Sequence, residues 1–277
     1  MRTSSSIPAL ALTLLALPAS PETPLEQGYR HLYNLQFAEA HSTFQDWSRA
    51  HPDDPMGPVS DAATYLFAEF DRLHILQSEF FTHDQHFLTD HKLAPDLGLK
   101  RQFEAAIETT RKLAARAPAD PGSQLASVMA SGLRSNYLAL IDHQYVASFR
   151  EMKTARLAAD KLLKEHPELC DAWIAAGVEN YMLSVKPAPV RWLLRLAGGE
   201  TDRTLGIEKL RLAADKGHYL APFARLLLGV AALRDHNPAK AREVLNGLIH
   251  EYPSNPLYRE ELARLQAGSA SLAGAPR

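Results

Sequence analysis

At 277 residues, with 46% hydrophobic and 22% charged side chains, the chain has apolar content for a sizeable core and lacks the low-hydrophobicity, high-charge balance of disorder. A formal net charge of −2 and a pI near 6.6 supply no long-range basic field, so nucleic acid and anionic membrane surfaces have no electrostatic reason to attract it. The single cysteine, Cys170, excludes an intramolecular disulfide.

Residues 1–20 differ from the rest of the chain: a cation at Arg2, an apolar run from Ile7 to Leu17, then the small residues Ala19 and Ser20. This is the pattern of a cleaved secretory signal peptide, whose apolar part is too short to span a bilayer. The expectation is an exported chain, periplasmic or secreted, soluble after cleavage and without a stable membrane span. Residues 21–266 then form one helical domain and 267–277 a small, polar, disordered tail.

Within that domain two segments share one spacing. Gly28 is followed by Ala40, Phe44 and Pro52, and Gly229 by Ala241, Leu245 and Pro253, at offsets of 12, 16 and 24 in both. Glycine and alanine suit the place where the two helices of a hairpin cross closely, a large residue fills the groove beside them, and proline closes the unit. Between these segments the period persists with stretches. Val59 to Phe81 is apolar at helical spacing and predicts one long helix, followed by an inserted loop at about 82–98. Ala106, Leu113 and Pro118 resemble the back half of a unit. The next predicted helices are 121–141, with Met129, Leu133, Tyr137 and Leu140 on one face, and 146–165, with Ala155, Ala159 and Leu162. Trp173, Gly177 and Tyr181 open a fourth unit, whose second helix waits until about 204–216 behind an insert at 184–203 carrying Lys186-Pro187-Ala188-Pro189 and Gly198-Gly199. Pro256 to Gln266 predicts a terminal helix that covers the last core face. No stretch alternates as a strand does, and the class is all-α.

The residues Gly28, Ala40, Phe44, Pro52 and Gly229, Ala241, Leu245, Pro253 resemble the tetratricopeptide repeat signature. The tryptophan and tyrosine that the family often carries in its first helix are Pro24 and His31 in one unit, and Arg225 and Ala232 in the other. The resemblance implies a right-handed superhelix, an α-solenoid of about five stacked hairpins with two insertions, and a concave groove lined by front helices that takes a peptide or helix. The matching positions are Leu25, Tyr29, Leu32 and Tyr33 in the first unit, Ile174, Val178, Tyr181 and Met182 in the fourth, and Phe223, Leu226, Val230, Leu233 and Arg234 in the fifth. Among them only Arg234 is of the kind with which the family's carboxylate-clamping units grip a chain terminus. The implied guest presents apolar or aromatic side chains.

Signals for catalysis are sparse. His74, His83, His86 and His91 lie with Asp84 and Asp90 in or beside the first insert, and His83 and His86 are three apart, a spacing that puts two imidazoles on one helix face for zinc. Without a cysteine framework or an H-E-x-x-H pair, a solvated loop is the simpler reading. No phosphate loop, dinucleotide turn or nucleophile elbow is present, and no cofactor is expected. Cys170 reads as a space-filling thiol, Glu69 and Arg72 as an ion pair that docks the second unit, and Glu179, Asn180 and Tyr181 as caps of an inner helix face. The segment Val190–Leu196, with Trp192, Leu193, Leu194 and Leu196 against Arg191 and Arg195, is amphipathic, a composition that suits a membrane interface or a partner's surface. Seven residues bury too little to hold a protein on lipid, however, and the segment is expected to fold back over the stack. The sequence thus points to a non-catalytic scaffold of the cell envelope that binds a protein, with a metal-dependent helical hydrolase built on the histidine insert as the alternative.

Overall fold

The computed structural model describes residues 22–76 and 94–273, with side chains in the last helix as far as 267. Twelve α-helices and no strands occur among the described residues, so the chain is all-α. They are α1 (Pro24–Tyr33), α2 (Phe37–Ala50), α3 (Met56–Arg72), α4 (Leu97–Ala114), α5 (Pro121–Leu140), α6 (Tyr145–Glu165), α7 (Trp173–Ser184), α8 (Ala188–Leu196), α9 (Arg203–Lys216), α10 (Ala221–Arg234), α11 (Pro238–Glu251) and α12 (Pro256–Ala273). Neighbours pack as antiparallel pairs, α1 on α2, α3 on α4, α5 on α6, α7 on α9 and α10 on α11, each pair also touching the next. Helix α12 lies on α11 and continues to Ala273, past the end expected at Gln266. No helix of the described residues is long and apolar enough to cross a membrane.

Starts and stops follow local chemistry. Thr23 caps α1 in a reciprocal box with Glu26, and the side chains of Asp96, Asp120, Asp202 and Asn237 accept from first-turn N–H groups of α4, α5, α9 and α11. Each such cap contributes about 1 kcal/mol. Leu35, His74, His143 and His236 have φ between 53 and 59°, each just after a front helix, α1, α3, α5 or α10. Beyond three of them an N–H donates five residues back, Gln36 to His31, Ile75 to Phe70 and Asn237 to Ala232, at 2.8–2.9 Å. This left-handed stop is a repeat signal in the backbone, placed on leucine and histidine where glycine is usual. It also corrects the expected helix from Val59 to Phe81. The chain turns at His74, Ile75 tucks in fully buried, and α3 ends at Arg72.

The glycines at the crossings do unequal work. A Cβ on Gly28 would collide with the ring of Phe44, which is itself wholly buried beside Ala40. One on Gly229 would meet only Val244 Cγ1 at 3.4 Å, an ordinary contact. In the fourth pair the glycine meets backbone: a Cβ on Gly206 would come within 2.6 Å of the Tyr181 backbone nitrogen, and the repeated spacing does not include that glycine.

Candidate functional site

Buried carboxylates tie the irregular segments to the stack. Glu69 on α3, 1% exposed, receives Arg72 through two hydrogen bonds of 2.7 and 2.8 Å, and the N–H of Asp96 donates to it at 2.8 Å just before α4. Glu179 on α7 repeats the arrangement: Arg156 Nε donates to it at 2.9 Å and the N–H of Glu200 at 3.0 Å, while the N–H of Asp202 donates to Asn180 Oδ1. Desolvation holds the Glu179 carboxyl above the usual glutamate range, against the lowering effect of these hydrogen bonds. Glu69 and Arg72 therefore form the docking pair expected, and Glu179 and Asn180 hold the chain returning from the second insert. Asp171 does the same for the turn before α10, accepting from the N–H groups of His218, Tyr219 and Leu220 at 2.7–3.0 Å. Cys170 is buried, with its sulfur 3.6 Å from the Pro167 carbonyl oxygen.

That turn meets the first pair of helices. Tyr33 Oη donates to the Tyr219 carbonyl (2.9 Å), Asn255 Nδ2 to the Tyr33 carbonyl (2.8 Å), and the N–H of Ser254 to Asn34 Oδ1 (2.9 Å). Ring centroids of Tyr29 and Tyr219 lie 4.9 Å apart, and those of Tyr33 and Tyr252 5.4 Å. Residues near both ends of the described chain are thus joined by an aromatic seam. Beside it Phe67 of α3 reaches Phe223 of α10 edge to face at 5.8 Å.

Between this seam and the far wall lies an apolar cavity of about 570 Å³. Its walls are Leu32 and Tyr33 of α1, Phe67 and Phe70 of α3, Ala139 and Leu140 of α5, Phe149 and Met152 of α6, Val178 and Met182 of α7, Val190 and Leu194 of α8, and Phe223, Leu226 and Val230 of α10. The volume falls in the range of small-molecule and side-chain receptor sites, about 300–1,000 Å³. Much of its polar lining is already committed. The Ser135 and Ser148 hydroxyls each donate to the other's backbone carbonyl (3.0 and 2.9 Å), Asn255 is held by Tyr33 and Leu257, and Glu261 by Arg264. A guest therefore meets hydrocarbon and aromatic surface. Eight of the positions implied by the repeat resemblance line this space: Leu32, Tyr33, Val178, Met182, Phe223, Leu226, Val230 and Leu233.

The other positions lie elsewhere. Leu25, Tyr29, Ile174 and Tyr181 are buried in helix contacts, Tyr29 taking a hydrogen bond from Ser60, and Arg234 lies outside the lining. No protein-family model matches the chain, and no curated protein matches it either.

Sequence spacing missed the back-helix contributions, Phe149 and Met152, because they sit on the first turns of a helix read as packing only. The signal was present as two large apolar residues three apart in 145–153. His83, His86 and His91 lie outside the described residues. No group of three or more metal-ligating side chains gathers among the described residues. The segment Val190–Leu196 is the core of α8, and it folds back only in part. Val190 and Leu194 face the cavity, while Trp192, Leu193 and Leu196 are exposed.

Proposed function

We propose that this chain is a non-catalytic binding protein of the cell envelope, a tetratricopeptide-type right-handed stack that holds the apolar face of a partner's peptide or helix in its concave cavity. One observation carries the reading: an unfilled volume of about 570 Å³, walled by aliphatic and aromatic side chains from front helices at both ends of the array. Leaving such surface wet is unfavourable by roughly 25 cal/mol per Å², so an apolar guest gains by entering. The committed polar lining supports binding over chemistry, because among the described residues no acid, base and nucleophile converge there. Export follows from the leader pattern in residues 1–20.

Photo-crosslinking tests the proposal. A photoreactive side chain at Met182, in the cavity, should capture one protein partner in the envelope, whereas the same group at Leu157, exposed on the outside of α6, should not. Capture that is equal at both positions, or absent at Met182, defeats it. The hydrolase reading rests on His83, His86 and His91; substituting His83 and His86 by alanine should leave capture from position 182 unchanged, and an accompanying loss of hydrolytic activity would favour the enzyme.

A further inference from the structure

The cavity uses one side of α8 and leaves the other unpartnered. Eight large hydrophobic side chains are exposed among the described residues, and four of them, Val190, Trp192, Leu193 and Leu196, lie on this nine-residue helix. No residue of α8 is buried. At 100° per residue, Trp192, Leu193 and Leu196 form one outward stripe, 60%, 58% and 68% exposed, while Val190 and Leu194 point to the cavity and Arg191 and Arg195 lie between the two.

Charge selects the surface that fits this stripe. From Asn180 to Gly199 the chain carries Lys186, Arg191 and Arg195 and no carboxylate, within a protein whose formal net charge is −2. Lys153 from α6 adds a fourth cation, donating to the Ala197 carbonyl at 2.9 Å at the negative end of the helix. The arginines are held in place, Arg191 by the Lys186 carbonyl (2.8 Å) and Arg195 by the Thr201 hydroxyl (2.5 Å), so their positive charge stays beside the apolar stripe. The carboxylates that bound this segment are Glu179, buried against Arg156 on one side, and the exposed Glu200 with Asp202, which caps α9, on the other. A short helix with tryptophan and leucine on one face and arginines alongside has the composition of elements that lie in the headgroup region of a bilayer.

We infer that the outer face of α8 is a docking surface for an anionic phospholipid bilayer, with Trp192, Leu193 and Leu196 entering the headgroup region and Arg191 and Arg195 meeting the phosphates. Three side chains and a local charge of this size give weak, reversible attachment. The inference stands on the outer face and is independent of what the cavity holds.

Flotation of the full chain with vesicles tests it, comparing phosphatidylcholine alone with phosphatidylcholine containing phosphatidylglycerol. The wild-type chain should float with the anionic vesicles about tenfold more strongly than with the neutral ones, and the difference should shrink as salt is raised. The triple variant Trp192→Ser, Leu193→Ser, Leu196→Ser should lose about tenfold or more of the anionic-vesicle binding while its thermal unfolding is unchanged, since these side chains are exposed. Val178→Phe, which narrows the cavity, should float as the wild type does. Absence of wild-type flotation, equal binding to neutral vesicles, or unchanged flotation of the triple variant would overturn the inference, the last by placing lipid contact elsewhere in the chain. Loss of flotation in Val178→Phe alone would also overturn it, by making the cavity the lipid site.

Discussion

The seam and the cavity are built from the same inner face and the same residue types, yet one is filled and the other empty. At the seam, tyrosines from α1 stack on Tyr219 and Tyr252, and each backbone group they bring finds a partner. A few ångströms away Val178, Met182, Phe223 and Leu226 face open volume, with Leu32 and Tyr33 at the border between the two. The difference lies in pairing: at the seam the α1 tyrosine rings meet those of Tyr219 and Tyr252, whereas the α7 and α10 positions, valine, methionine and leucine with Phe223, leave volume between them. The same face thus both locks the ends and leaves a cavity.

The strongest way to break this contrast is to remove the lock. Tyr29→Ala deletes a buried ring between Phe44 and Tyr219 and orphans Ser60, and should destabilise by about 3–5 kcal/mol in chemical denaturation. Asp171→Ala leaves three N–H groups without their acceptor and should cost about 3 kcal/mol. If either change is neutral, the seam does not hold the ends.

Alkaline titration addresses the same region. Burial pushes the phenols of Tyr29, Tyr33, Tyr252 and Tyr258 upward, and that of Tyr219 to about 12. The unfolded chain ionises near pH 10, so the stability tied to these neutral phenols is complete below about pH 10 and is lost as pH climbs through the higher folded values. Melting temperature should fall steeply from about pH 10 to 12, and tyrosinate absorbance should rise together with loss of helix. Ionisation of these five tyrosines near pH 10 in the intact fold would contradict this.

The cavity should respond in the opposite sense. Val178→Phe adds hydrocarbon to empty space and should raise stability by about 0.5–2 kcal/mol while weakening partner capture. The smallest effect belongs to the hairpin turns. His236→Gly relieves a left-handed φ of 53° and should stabilise by about 1 kcal/mol or less, without touching binding.

The all-helical class, the pairing of helices and the eight cavity positions were within reach of the sequence because they depend on period and residue size. Gly28, Ala40 and Phe44 meet as their spacing implies. What escaped depended on the backbone or on contacts distant in the chain. The end of α3 turns on a left-handed histidine that no composition rule singles out, and the seam joins Tyr33 to Asn255, 222 residues apart. Tyr29 and Tyr33 looked alike on one helix face, and only the packing separates a ring inside the seam from one that also borders the cavity. The two stripes of α8 form one amphipathic segment in the sequence, and only the wall built by Val190 and Leu194 tells them apart.

The central claim is that the unfilled part of the inner face is where a partner is held. Crosslinking from Met182 in wild-type and Val178→Phe backgrounds tests it most directly. The account predicts a single crosslinked partner in the first background and a weaker crosslink to it in the second, with the fold intact in both. A crosslink undiminished when the cavity is narrowed would contradict it.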